Sequence, residues 1–409
     1  MKKINKFILL LSLIIYALPI QARVYTGLEV FVYKYLNSVK GKRIGLITNR
    51  TGRDARGKST IDILYASPKV NLVALFAPEH GIRGDVKAGD FVKGGVDKKT
   101  GLPIYSLYGG IDHKPTKEDL NKIDILIYDI QDVGARPYTY IWHMAECMKA
   151  IAENGKTMII LDRPSPAGAK VIDGPINEQK YISFIGLYQI PYVYGMTVGE
   201  LAHYLNVEEK IKAKLYVVPM LNYRRGMAWN QTGLPWIAPS PNIPTPASAY
   251  CFATTGALGE LGLVGLGGGT NYAFQIITGN WLKPKYSAAA LNNYKLPGVK
   301  FIPIKFKYKS GYLSKYGINA VWIKVTNPST YRPVTTEIAI LCHLRNIYPR
   351  EFLKIFKNKE RINAFNKAIG NDTILKLIRK GVGYKSIVNT WKNDLIRFNA
   401  KRRKYLIYK

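Results

Sequence analysis

Val70-Asn71-Leu72-Val73-Ala74-Leu75-Phe76 runs directly into Ala77-Pro78-Glu79-His80-Gly81-Ile82-Arg83-Gly84-Asp85. The first seven residues form a nearly continuous apolar run of strand length, without alternation. That pattern suits a strand buried on both faces, as in a parallel sheet. The residues after it are polar and punctuated by proline and glycine, and they read as the loop leaving the strand. Similar runs recur as Arg43-Ile44-Gly45-Leu46-Ile47-Thr48, at residues 123–128, at 158–161 and at 215–218. Helix-length segments lie between them. Thr116-Lys117-Glu118-Asp119 opens one, residues 140–154 form another that ends at Asn154-Gly155, and Thr197-Val198-Gly199-Glu200 opens a third with a capping box. Strand–helix alternation of this kind predicts a doubly wound α/β sheet over residues 23–233.

Beyond residue 222 the composition changes. Pro235, Pro239, Pro241, Pro244 and Pro246 crowd one short stretch, which reads as a crossing between domains. A glycine-rich segment follows (Gly265, Gly267, Gly268, Gly269). Strand-like runs such as Ala320-Val321-Trp322-Ile323-Lys324-Val325 come next, and the last 65 or so residues read as helical, with Trp391, Leu395, Phe398 and Tyr405 near one face. Residues 234–409 are therefore expected to form a smaller α+β domain that completes a cleft. No internal repeat appears.

The chain has 409 residues and 47% hydrophobic content, enough for a substantial core. Residues 1–22 read as an export signal: Met1-Lys2-Lys3-Ile4-Asn5-Lys6 is basic, residues 7–18 are apolar, and Ala22 offers a small residue for cleavage. The protein is thus expected to be exported, periplasmic or secreted, with no stable membrane anchor. Cys147, Cys251 and Cys342 are too few for a disulfide framework and lack zinc spacing. The balance of 60 Lys/Arg against 27 Asp/Glu gives +33, which favours an anionic partner. Residues 341–409 hold 18 bases against 4 acids, densest at Lys401-Arg402-Arg403-Lys404. That run reads either as a solvated helix end or as a docking patch.

Ligands of open α/β sheets bind beyond the carboxyl ends of the strands. Four such ends supply Asn49-Arg50-Thr51, then Glu79-His80 with Arg83, then Asp129-Ile130-Gln131-Asp132 with Arg136, Tyr138 and Tyr140, and finally Asp162-Arg163. Carboxylates gathered there suit glycoside cleavage. One carboxylic acid protonates the leaving oxygen, and a second group stabilises the oxocarbenium-like centre or activates water. Glu79, in a constrained turn between Pro78 and His80, is the first choice for the acid. Asp129, Asp132 and Asp162 remain open for the second role. Each also has a plain structural reading as a turn, cap or ion-pair residue, and the capping box alone explains Glu200. His80 suits a proton shuttle or substrate donor better than a metal ligand, because only five histidines occur and none is spaced as HxxxH or HxH. No metal or cofactor is expected. The glycine cluster lacks the ending of a phosphate loop, and no G-x-S-x-G elbow occurs.

Several of these segments resemble one known family. They are Ala77-Pro-Glu-His-Gly-Ile-Arg-Gly84, Thr100-Gly-Leu-Pro-Ile-Tyr-Ser-Leu-Tyr-Gly109, Asp129-Ile-Gln-Asp-Val-Gly-Ala-Arg136, Tyr138-Thr-Tyr140, Leu161-Asp-Arg-Pro164, Gly195-Met-Thr-Val-Gly-Glu-Leu-Ala202 and Pro239-Ser-Pro-Asn-Ile-Pro-Thr245. Together, and in this order, they resemble the exo-β-N-acetylmuramidase NamZ family, formerly a domain of unknown function. The resemblance implies a Rossmann-like parallel-sheet domain plus a C-terminal domain with the cleft between them. It implies release of terminal N-acetylmuramic acid from the non-reducing ends of peptidoglycan fragments, in cell-wall recycling or scavenging. It also places the family's proposed catalytic acid on Glu79.

On that reading Asp129, Asp132 or Asp162 stabilises charge or positions water. Arg83, Arg136 and Arg163 are candidates to hold the lactyl carboxylate. Tyr138 and Tyr140 pack on the sugar, and Asn49, Glu200 and Asn242 complete the binding set. The chain departs from the family at Gly265-Leu-Gly-Gly-Gly-Thr-Asn-Tyr-Ala-Phe-Gln275, where many members carry a glutamate and an arginine and end on an acid. It also has Ser165 where asparagine is usual. The alternative reading is a non-catalytic binder of cell-wall or other anionic glycans. Nucleic-acid binding is suggested by charge alone, and export and the lack of any recognition motif weigh against it.

Overall fold

The computed structural model describes residues 23–79, 81–83, 94–108, 113–166, 169–308 and 315–409. The expected export signal lies outside these residues. In chain order the first nine strands are β1 Arg43–Thr48, β2 Asn71–Ala77, β3 Gly95–Val96, β4 Pro103–Ser106, β5 Ile125–Asp129, β6 Thr157–Leu161, β7 Asp173–Ile176, β8 Pro191–Val193 and β9 Lys214–Val218. Seven of them build one sheet, ordered β3-β4-β2-β1-β5-β6-β9. Every neighbouring pair in it is parallel except β3 with β4. β7 and β8 form a separate antiparallel pair.

Five helices accompany the sheet: α1 Gly27–Lys34, α2 Thr60–Tyr65, α3 Lys117–Asn121, α4 Tyr140–Glu153 and α5 Val198–Glu208. Leu28 and Phe31 of α1 and Ile61 and Leu64 of α2 pack in one buried cluster. Met144, Cys147 and Met148 of α4 and Leu201 and Leu205 of α5 pack in another. The central strands contribute to both clusters, which is why their sequences are continuously apolar. The expected doubly wound sheet is therefore present. The chain moves from β1 outward through β2 to β4, then returns to β5 on the other side of β1. Strand order thus reverses between β1 and β5, and ligands of such sheets bind at that point.

The second unit contains β10 Ile276–Thr278, β11 Val299–Phe306 and β12 Ile318–Val325, antiparallel in the order β10-β12-β11. Its helices are α6 Pro246–Glu260, α7 Pro284–Asn292, α8 Pro333–Ile347, α9 Pro349–Lys354, α10 Lys359–Ile369, α11 Thr373–Arg379, α12 Tyr384–Asn389 and α13 Lys392–Arg402. Their apolar faces share one large core that also takes in Val133, Ala135 and Tyr192 from the first unit. No helix among the described residues is long and apolar enough to cross a membrane.

The last residues turn back onto the main sheet. The Tyr408 phenol donates to Asp162 Oδ2 at 2.6 Å and accepts from the Met220 N–H at 2.9 Å. The Ile407 N–H donates to Glu200 Oε1 at 2.8 Å, and the Arg225 N–H to the Lys409 carbonyl at 2.7 Å. Arg402, in the densest basic run, is buried and donates to the Gly195 and Lys170 carbonyls. That residue is a tie between the units rather than part of a solvated helix end. Tyr408→Phe is expected to lower unfolding stability by about 1–3 kcal/mol, because it leaves the buried Met220 N–H without its acceptor and takes one of two donors from Asp162 Oδ2. Urea denaturation of the two proteins checks this.

Candidate active site

Glu79 stands two residues past β2, partly buried. Its Oε2 accepts from Thr139 Oγ1 at 3.0 Å. Thr139 is the N-cap residue of α4, yet its hydroxyl makes no capping bond to its own helix; it serves the glutamate instead. The phenol of Tyr108 faces the same carboxylate. Burial first, and then the charge and hydrogen bond of Glu79, raise that phenol's pKa. Behind it Tyr108 packs near His113 and His143, with ring centroids 6.1 and 5.9 Å away. Tyr138 and Tyr140 meet edge to face at 5.1 Å. Both phenols are raised, chiefly by burial, with the Glu79 and Asp132 charges contributing to each. The tyrosine pair therefore lies within the field of two carboxylates. Tyr140 Oη also donates to the Pro239 carbonyl at 2.8 Å, tying the proline-rich crossing to this edge of the sheet.

The other acids at the strand ends differ sharply. Asp129 is fully buried between Arg163 (Nε to Oδ1 at 2.5 Å, Nη2 to Oδ2 at 2.8 Å) and the Thr60 hydroxyl. Asp162 Oδ1 accepts from the N–H groups of Arg163 at 2.9 Å and Gly199 at 2.8 Å. Its Oδ2 accepts from Thr197 Oγ1 at 2.7 Å and from Tyr408. Burial pushes this carboxyl up to about 6 against the pull of those donors. Residue 199 must be glycine for the helix to come so close, because a Cβ there would stand 2.8 Å from Asp162 Cγ. Asp162 thus anchors α5 and the C-terminal tail, and its four acceptor sites are filled.

Asp132 is arranged otherwise. Its Oδ2 accepts from the Gly134 N–H at 2.6 Å and from the Tyr194 phenol. Its Oδ1 is buried and has no hydrogen-bond partner among the described residues. Burial raises the carboxyl to about 6, with Tyr194 and the Gly134 and Val133 N–H groups opposing. Asn49 Nδ2, Gln131 Oε1 and the Tyr138 phenol are likewise buried without a partner of normal geometry among the described residues. Asn49 follows β1, and Gln131 and Asp132 follow β5, the two strands that flank the reversal of strand order. Buried polar atoms are nearly always paired, so such a group at one sheet edge marks a place where a polar ligand or water is expected.

The structure redirects several expected site residues. Arg136 is wholly buried and donates to four carbonyls, those of Pro175, Ile190, Ala368 and Ile369. Burial lowers it to about 9. It holds main chain together through both terminal guanidinium nitrogens. Arg163 is taken up by Asp129 and the Arg53 carbonyl. Glu200 is fully buried, completes the α5 capping box and meets Arg225 and the C-terminal N–H groups. These three have structural work that substrate contact would break, as do Asp129 and Asp162. Arg83 pairs with both oxygens of Asp97, at 3.0 and 2.9 Å, and stays about one-third exposed. Asn242 is exposed. His80 lies outside the described residues. Tyr108 and Thr139, which do reach Glu79, are not among the residues that the sequence singles out. Both lie within the motifs at residues 100–109 and 138–140, but neither residue type announces a catalytic role.

In the glycine-rich loop, Gly267 and Gly269 take positive φ of 73° and 75°, as a tight turn requires. Gln275 is buried, and its Nε2 donates to the Asn271 carbonyl at 2.7 Å and reaches Ser248 Oγ at 3.1 Å and Thr245 Oγ1 at 3.3 Å. A carboxylate could not donate to that carbonyl, so the amide fits this version of the loop. Among the described residues, no group of three or more His, Cys, Asp or Glu could hold a metal ion.

Comparison with known proteins bears on this geometry. Residues 44–247 match the sequence model described as exo-beta-N-acetylmuramidase NamZ, N-terminal, and residues 250–408 match its C-terminal counterpart. The peptidoglycan beta-N-acetylmuramidase NamZ of Bacillus subtilis (strain 168) is 42% identical over 386 residues, covering 94% of this chain and 92% of that protein. Two crystal structures of DUF1343 family proteins from Bacteroides fragilis are similar. One has a TM-score of 0.87 at 40% identity, and the other 0.67 at 30%; each comparison covers 95% of this chain and 99% of the other.

Proposed function

Because the chain belongs to the exo-β-N-acetylmuramidase NamZ family, we infer that it is a glycoside hydrolase that releases terminal N-acetylmuramic acid from peptidoglycan-derived fragments. The observation that carries the site assignment is the setting of Glu79. It is held by Thr139 and Tyr108 beside two tyrosines, next to the point where strand order reverses. Glu79 delivers a proton to the departing glycosidic oxygen. Tyr138 offers a ring edge and a phenol to the sugar, and Asn49 offers an amide N–H, neither polar group having a partner of normal geometry among the described residues. Of the three arginines considered for the lactyl carboxylate, Arg83 keeps that role, since it is part-exposed and four residues past Glu79.

Exo action makes a sharp expectation. Fragments with muramic acid at the non-reducing end lose one sugar and then stop at the exposed glucosamine unit. Fragments capped there by N-acetylglucosamine stay intact. Mass spectrometry of a time course reads both; internal cleavage of the capped fragments would contradict the reading. The basic, apolar leader at residues 1–22 supports work outside the cytoplasm, in wall recycling or scavenging. An N-terminus at Arg23 in the exported protein checks that placement, and retention of Met1 would count against it.

A further inference from the structure

Glycoside hydrolysis requires a second group beside the acid, and hydrogen-bond valence separates the three aspartates at the sheet edge. Asp129 is bound on both oxygens by Arg163 and Thr60. Asp162 has two donors on each oxygen. Either would have to abandon buried partners to touch water or an anomeric carbon. Asp132 alone of the three combines one anchored oxygen with one buried oxygen that has no partner of normal geometry among the described residues. The anchoring is firm. Gly134 takes φ 86° to bring its N–H onto Oδ2, and Tyr194 closes the other side.

The position fits as well. Asp132 follows β5 at the reversal of strand order. Its neighbours Gln131 and Asn49 and the Tyr138 phenol also carry polar atoms without a partner of normal geometry among the described residues. The Tyr138 and Tyr140 phenols feel both its charge and that of Glu79, and both carboxylates follow the carboxyl ends of parallel strands, β2 and β5.

We propose that Asp132 is the second catalytic carboxylate and acts as the general base. This rests on Glu79 being the acid. Oδ1 takes one proton from a water molecule. The water oxygen bonds to the anomeric carbon of the terminal muramic acid as the bond from that carbon to the glycosidic oxygen breaks. Glu79 gives its proton to that leaving oxygen. One water is consumed, two free sugars result, Asp132 ends protonated and Glu79 ionised, and exchange with solvent resets both. The burial that raises this carboxyl to about 6 makes it a stronger base than an ordinary aspartate. Attack by water from the face opposite the leaving group inverts the centre, so the first sugar released is the α anomer.

The experiment uses the full chain from Arg23 and the disaccharide of muramic acid β-linked to N-acetylglucosamine. Proton NMR of the wild-type reaction in its first turnovers reads the anomer, independently of any variant. The expected result is the α form, later equilibrating; first release of the β form overturns the general-base role. In parallel, Asp132→Asn is expected to lose about 10³-fold in turnover, with binding of free N-acetylmuramic acid and the melting temperature nearly unchanged. In Asp132→Ala, added azide is expected to restore turnover and give the α-glycosyl azide. Turnover by Asp132→Asn within tenfold of wild type overturns the proposal, as does a loss matched by unfolding together with a β product. Absence of wild-type turnover on this disaccharide would instead refute the hydrolase reading on which the proposal stands.

Discussion

Glu79→Gln is expected to abolish cleavage of the natural disaccharide while sparing much of the reaction on an aryl glycoside. The amide keeps the shape of the side chain and can still meet Thr139 and Tyr108. What it lacks is a transferable proton. A sugar hydroxyl is a poor leaving group and departs only when protonated. A nitrophenolate leaves unaided. The loss should reach about 10²–10⁴-fold on the disaccharide, the range for a positioned general acid, and be clearly smaller on para-nitrophenyl β-N-acetylmuraminide. Binding of free N-acetylmuramic acid should persist. Equal losses on both substrates would assign Glu79 to the bond-forming half of the reaction rather than to leaving-group protonation. Steady-state rates on the two substrates, measured side by side, decide this.

Arg136→Met is expected to cost about 5 kcal/mol or more, the range in which single substitutions become exceptional. The side chain is fully buried and its guanidinium donates to four carbonyls. Two of these, on Ala368 and Ile369, close the carboxyl end of α10, where a cation is also favoured by the helix dipole. The other two lie on Pro175 at β7 and on Ile190 just before β8. The residue therefore joins the first unit to the second. Methionine fills part of the volume and leaves all four carbonyls without their donor. Arg136→Lys should recover only part of the loss, since an ammonium has three donors on one centre. Urea denaturation measures all three proteins. A folded, stable Arg136→Met that no longer binds N-acetylmuramic acid would restore Arg136 to the substrate.

The contrast between Arg136 and Glu79 shows where sequence reading stops. Strands buried on both faces announce themselves, and β1 is delimited by its residues alone. β3, β4, β7 and β8 escape such reading, because two to four residues, partly exposed or containing proline, give no period to detect. Strand-end position brings Glu79 and Asp132 into view. It brings Asp129, Asp162, Arg163 and Arg136 into view equally, because a sequence displays residue types but not how their hydrogen bonds are filled. Asp129 and Asp132 are three residues apart in one motif. Only the fold sets Arg163 against the first and leaves an oxygen of the second without a partner among the described residues. The donors on Glu79 are equally invisible. Thr139 reads as part of a helix start, and Tyr108 sits near the end of a separate motif 29 residues after Glu79.

The most direct test of the central claim is the hydrolysis of para-nitrophenyl β-N-acetylmuraminide and of the corresponding N-acetylglucosaminide by the chain from Arg23. The two differ only by the lactyl ether. A site built to remove terminal muramic acid is expected to release nitrophenolate from the first and negligibly from the second. Equal rates on both would contradict recognition of muramic acid, and no release from either would leave a glycan-binding protein in place of an enzyme.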